Sequence, residues 1–192
     1  VNGAAKNDQS IVLSVEADGW KALLSADMQF SKAGVSGLND MMTSLLKNVN
    51  QNGPYDFIKL AHHTAENGID ETILKKWNEN TKIFAHSGGR NDATHPNKKI
   101  LKLLKDNEAT LNYLRTDRNG LISLSEKNGK LSIAISKGKI NDFSPNSKTD
   151  ETTEPATRVT ELPQSVKTET AYSKNDDGAI VVTTRIPNQS AK

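Results

Sequence analysis

The residues best suited to chemistry are four histidines and one aspartate. His62 and His63 end the run Tyr55-Asp56-Phe57-Ile58-Lys59-Leu60-Ala61, which has the apolar, β-favouring character of a strand and follows the break Gly53-Pro54. Thr81-Lys82-Ile83-Phe84-Ala85 is a second such run and stops at His86. Trp20-Lys21-Ala22-Leu23-Leu24 is a third, and it runs through Ser25-Ala26 into Asp27. Imidazole ligates metals and titrates near neutral pH. A carboxylate and imidazoles on one sheet edge form a donor set for zinc or manganese. The set is about half of what a hydrolytic centre uses. The plainer alternative for His62-His63 is a pair of polar residues opening a loop. His95 precedes Pro96 at the expected start of a helix, where a capping role is an equal alternative.

These positions need a frame that brings strand ends together. Ile11-Val12-Leu13-Ser14-Val15 and the 20–24 run flank Asp18-Gly19, a two-residue hairpin signal. Leu38, Met41, Met42, Leu45, Leu46 and Val49 recur at helical spacing, predicting an amphipathic helix over 34–50. Asp70 is placed to cap a helix reaching about 78, with Ile73, Leu74 and Trp77 inward. Ile100, Leu103 and Leu104 mark the inner face of a third helix opened by Thr94-His95-Pro96. A strand over 110–114 follows. The runs 121–125 and 130–135 then alternate with period two around Asn128-Gly129. The order is hairpin, helix, strand, helix, strand, helix, strand, hairpin, which is an α/β layer pattern with sites expected at strand ends.

Composition sets the remaining bounds. The chain has 192 residues, no cysteine, a net charge of +2 and a hydrophobic content of 34%. Disulfides and cysteine-based zinc sites are excluded. No apolar run is long enough to span a membrane, and a cytoplasmic location is expected. Residues 82–140 hold 12 basic and 5 acidic residues. This basic middle includes Arg90, Lys98, Lys99, Lys102, Lys105, Arg115 and Arg118. It suits a polyanion such as nucleic acid, whereas a solvated helix face is the duller and favoured reading of the four lysines. From about 141 the composition turns to Ser, Thr, Pro, Glu and Lys. Residues 144–170 read as a linker or mobile tail, and 171–192 as a possible terminal strand and tail.

Four ordered motifs carry a family resemblance over about 7–136. They are Asn7-Asp8-Gln9-Ser10-Ile11-Val12-Leu13 with Leu23-Leu24-Ser25-Ala26-Asp27, then Ile58-Lys59-Leu60-Ala61-His62-His63, Thr94-His95-Pro96, and Arg115-Thr116-Asp117-Arg118-Asn119-Gly120-Leu121-Ile122. Together they resemble metallo-β-lactamase-fold hydrolases, most of all the ComEC-type competence DNA-hydrolase domain. The resemblance implies that residues 1–143 form the C-terminal half of an αββα sandwich, with a polar C-terminal tail. It implies a phosphodiesterase or nuclease using two divalent ions, zinc or manganese. Asp27 would bridge them and His62 would ligate the second. His63 and His95 would contact substrate, although the choice of ligand between His62 and His63 stays open. Asp117 and Gly120 would shape a turn. His86 has no counterpart.

Two departures qualify this. The chain has Ala26 and Thr64-Ala65 where the family has Gly and Gly-Ser. The family's His-x-His-x-Asp-His ligand run is absent. A separate or cleaved N-terminal chain is therefore expected as the partner that brings it, and the start at Val1 fits a processed chain. The alternative is a non-catalytic regulatory or interaction subunit.

Overall fold

A computed structural model describes residues 6–17, 20–81, 83–127, 130–147, 169–174 and 180–185. Asp18-Gly19 and Asn128-Gly129, expected to turn the two hairpins, lie outside the described residues. So do residues 148–168 of the polar segment.

Strands β1 (Leu13–Ala17) and β2 (Trp20–Leu24) pair antiparallel. Strands β3 (Phe57–Lys59), β4 (Ile83–His86) and β5 (Asn112–Arg115) then follow β2 across the sheet, each parallel to the last. Between them run α1 (Asn39–Asn52), α2 (Glu71–Asn78) and α3 (Lys98–Asp106). A single helical turn, α4 (Thr116–Asn119), leads to the hairpin β6 (Ile122–Lys127) and β7 (Lys130–Ile135). Two later strands, β8 (Glu169–Lys174) and β9 (Ile180–Arg185), extend the main sheet beyond β1, with β9 parallel to it. The sheet order is β5-β4-β3-β2-β1-β9-β8, so the fold is α/β with a mixed sheet. β9 falls within the segment read as a terminal strand.

Side chains alternate across the sheet because the pleat has period two. Leu23, Ile58, Phe84 and Tyr113 lie on one face, in the core formed with α1, α2 and α3. Ile83, Ala85 and Leu114 lie on the other, packed with Phe57 and with Ile122, Leu124, Ile133 and Ile135 of the hairpin. The hairpin thus forms the second layer over the β4–β5 end. Toward β1 and β2 the same face is less covered: Leu13, Val15 and Trp20 are half-buried and Leu24 is 37% exposed.

The helices follow their sequence signals with small shifts. α1 buries Met42 and Val49, while Met41 is 48% exposed. At about 100° per residue Met41 lies well off the stripe centred on Met42. Asp70 caps α2, accepting from Ile73 N at 2.9 Å. α3 begins after Asn97, whose side chain accepts from Lys99 N at 2.8 Å, so Thr94-His95-Pro96 forms the approach to the helix rather than its first turn.

Candidate functional site

Because β2, β3, β4 and β5 are parallel neighbours, their C-terminal ends share one edge. Asp27 lies three residues beyond β2, His62 and His63 three and four beyond β3, and His86 closes β4. The loop after β4 brings in His95. Its ring centroid lies 5.6 Å from that of His62 and 5.9 Å from that of His63. His86 is 6.5 Å from His63. All four histidines therefore gather where the strand-end reading expects a site, including His86, for which the sequence offers no counterpart.

The backbone here is unusual. Ala26, His62, His63 and Thr64 all have positive φ, at 44°, 46°, 49° and 62°. Left-handed backbone costs a non-glycine residue about 1–2 kcal/mol, and a β-branched one is worse. His62 N donates to Ala26 O at 3.0 Å, so the two strained turns lock together. Thr64 is fully buried with its Oγ1 3.2 Å from His86 Nδ1. Strain of this kind persists only where surrounding contacts over-determine it, and it concentrates at functional positions.

The hydrogen bonds assign different work to each imidazole. His63 Nδ1 lies against Ser87 O at 2.5 Å. A carbonyl only accepts, so Nδ1 carries the proton. His63 Nε2 then faces Asp27 Oδ1 at 3.3 Å. In the neutral ring Nε2 turns its lone pair toward that carboxylate, an arrangement suited to sharing a cation. His62 has both nitrogens engaged: Nδ1 with Asn67 Oδ1 at 2.8 Å and Nε2 with Asn7 Nδ2 at 3.1 Å. The residue beside Asp27 is thus His63, and His62 is enclosed by amides. Lys59 stands over the same carboxylate, 3.9 Å from Asp27 Oδ1, and donates to Ala26 O at 2.7 Å. Burial lowers the Lys59 pKa, and Asp27 works against that shift.

His95 is held from behind. Asp92 Oδ2 takes His95 Nδ1 at 2.9 Å, and Asp92 Oδ1 accepts from Thr94 N, Thr94 Oγ1 and His95 N. Partial burial disfavours the Asp92 charge, but the bonds from Thr94 and His95 outweigh it and hold the carboxyl well below its usual range. With Nδ1 committed as donor, His95 Nε2 keeps its lone pair. His86 is 1% exposed, and burial pulls its pKa down to about 4, with the Asp117 carboxylate opposing and Arg115 adding to the shift. It is therefore a neutral wall of the site.

Arg115 and Asp117 have a different task. Arg115 is fully buried and grips Asp117 with two bonds of 3.0 and 2.6 Å. Its Nη1 donates to Asp142 O and Ser144 O, and its Nη2 also donates to Asn146 Oδ1. Asn146 Nδ2 in turn donates to His95 O at 3.1 Å and Gly89 O at 3.2 Å. Asp117 is thus the counter-ion of a buried cation, and Arg115 is withdrawn from any polyanion. At Gly120 φ is 65°, and a Cβ would lie 2.4 Å from Ser136 Oγ, which accounts for the glycine at this turn.

The donors fit a metal in part. Asp27 Oδ1 and His63 Nε2 suit two adjacent positions around one ion. Among the described residues no group of three His, Asp or Glu side chains is arranged to hold one. Asp92, Lys59 and Asn67 escape the sequence reading. Only Asp92 leaves a local trace, an aspartate two and three residues before a threonine and a histidine that it can hydrogen-bond.

No family model matches the chain, and no solved structure matches it. Among the described residues no helix is long and apolar enough to cross a membrane. The chain is similar to ComE operon protein 3 of Bacillus subtilis (strain 168), with 31% identity over 125 residues that make up 65% of this chain and 14% of that protein.

Proposed function

We propose that this chain supplies one corner of a metal-dependent phosphodiesterase site acting on DNA or RNA, in a role related to DNA uptake. The remaining donors would come from a first half carried by another chain or segment. The observation that carries the reading is Asp27 Oδ1 set against His63 Nε2 at 3.3 Å, with Nδ1 already committed to Ser87 O. The distant similarity to ComE operon protein 3 supports the DNA-related role.

Asp27 and one imidazole of the His62-His63 pair would hold the metal, zinc or manganese, and a two-ion centre would use Asp27 as the bridge. Local geometry favours His63, because His62 would first have to shed Asn7. When bound, such ions acidify a water and neutralise charge on a phosphoryl group. His95, fixed by Asp92, presents the Nε2 lone pair as an acceptor for a proton of the attacking water. Lys59 supplies a positive charge beside Asp27. The half-buried apolar face of β1 and β2 suits a second layer from the partner.

The test is calorimetric titration of the purified chain with zinc and with manganese, for wild type, Asp27→Ala and His63→Ala. Both substitutions should abolish binding, and Asp27→Ala should abolish DNA hydrolysis by the complete assembly. Unchanged zinc and manganese affinity in Asp27→Ala would sink the proposal. A second reading, a non-catalytic interaction subunit, is favoured by the lack of a three-donor group among the described residues. It requires that Asp27→Ala leave both partner binding and the function of the assembly intact.

A further inference from the structure

We propose that the groove between α3 and the 143–145 segment is a binding site for a nucleotide of single-stranded nucleic acid, separate from the histidine cluster. It is a cavity of about 250 Å³ lined by Lys98, Leu101, Lys102, Lys105, Phe143 and Pro145. The three lysines fall at i, i+4 and i+7 of α3, one side of the helix, over about 10 Å of its length. Leu101, Phe143 and Pro145 supply an apolar floor. Cations around an apolar floor with an aromatic ring match the two halves of a nucleotide, the phosphate and the base.

The lysines are available for this. Lys98 and Lys105 have no ion-pair partner among the described residues. Lys102 pairs only with Asp106, both side chains being more than half exposed, an arrangement of little net strength that phosphate can replace. Phe143 is fixed in place. One face of its ring stacks on Tyr113, centroids 5.7 Å apart and planes 7° apart, and Tyr113 is fully buried. Phe143 also lines the cavity, where a base can lie against it.

The groove shares supporting segments with the site. Pro145 precedes Asn146, whose side chain donates to the backbone of His95. Asn97, next to Lys98, donates its backbone N–H to Thr64 O at 3.1 Å, beside His63. The segments that border the groove therefore also brace the loops that carry His63 and His95. The proposal rests on the phosphodiesterase reading for its substrate class but needs no hydrolysis to hold.

The experiment uses the full chain without divalent ions and a fluorescent oligothymidylate, followed by anisotropy at several salt concentrations. The variant Lys98→Gln/Lys102→Gln/Lys105→Gln should bind about tenfold or more weakly, with the salt slope reduced by about 2. Phe143→Leu should weaken oligothymidylate about fivefold while leaving inorganic polyphosphate unaffected, because only the base stacks. Lys47→Gln/Lys75→Gln/Lys76→Gln on α1 and α2 is the charge-matched control and should bind as wild type. Equal loss in the control, or unchanged oligothymidylate affinity in the α3 variant, overturns the proposal. So does equal affinity for duplex DNA of the same length. Loss of hydrolysis in Asp27→Ala with oligothymidylate binding intact is expected, whereas unchanged metal binding in that variant bears on the phosphodiesterase reading alone.

Discussion

Histidine protonation at this edge is decided by what stands behind each ring. Asp92 fixes the His95 proton on Nδ1 through a 2.9 Å bond, which leaves Nε2 as acceptor. Asp92→Asn replaces a carboxylate with an amide that competes for the same hydrogen bonds. The expected outcome is redistribution of the His95 ring proton between its two nitrogens, seen as a change in the ring 15N shifts; an unchanged pattern would refute the role given to Asp92. Strain offers a second prediction. At Ala26 φ is 44°, and glycine removes the Cβ penalty while adding freedom to the unfolded chain. Ala26→Gly should raise stability by about 0.5–1 kcal/mol in urea unfolding. Which histidine meets Asp27 is not legible in the sequence. It depends on two consecutive left-handed residues, and neither composition nor spacing signals positive φ at histidine.

Among the elements, the turn α4 holds β5, the 142–146 segment and the His95 loop to one buried cation. Arg115 and Asp117 are both fully buried as side chains, and their pair is the counter-charge on which the arrangement depends. Removing one partner of such a pair leaves an uncompensated charge in the interior. Asp117→Asn should therefore cost about 3–5 kcal/mol, measured as a lower urea midpoint with an unchanged slope. The strands and helices themselves were largely legible, because Leu23, Ile58 and Phe84 sit in short apolar runs and Ile73, Leu74 and Trp77 keep helical spacing. Asn146 was not. It lies in a polar stretch that reads as solvated, and its burial comes from contacts more than 25 residues away.

For the molecule as a whole, acid is the informative perturbant. His86 has a pKa of about 4 when folded, against 6.5 when exposed. Between those values the unfolded chain binds a proton that the folded chain refuses, so stability falls as pH falls from 6.5 toward 4. The loss at this one group is at most about 3 kcal/mol. Melting of the metal-free chain should show it, and His86→Gln should flatten the dependence in that window. Persistence of the full slope in His86→Gln would assign the effect elsewhere. The two-layer arrangement was legible from the order of elements. The placement of β9 beside β1 was not, since that pairing spans more than 160 residues and no local pattern encodes it.

The bonds from Asn146 to His95 and Gly89 also bear on where this folding unit can be trimmed. The hairpin ends at Ile135, and a boundary drawn from regular structure would fall soon after it. Residues 142–146 nevertheless act as a strap whose last link is a single amide. A fragment ending at residue 147 gives up β8 and β9 but should keep the Arg115 network and the His95 loop in place. One ending at 141 strips Arg115 of three acceptors and frees the His95 loop. Protease protection of that loop should vanish between these two truncations.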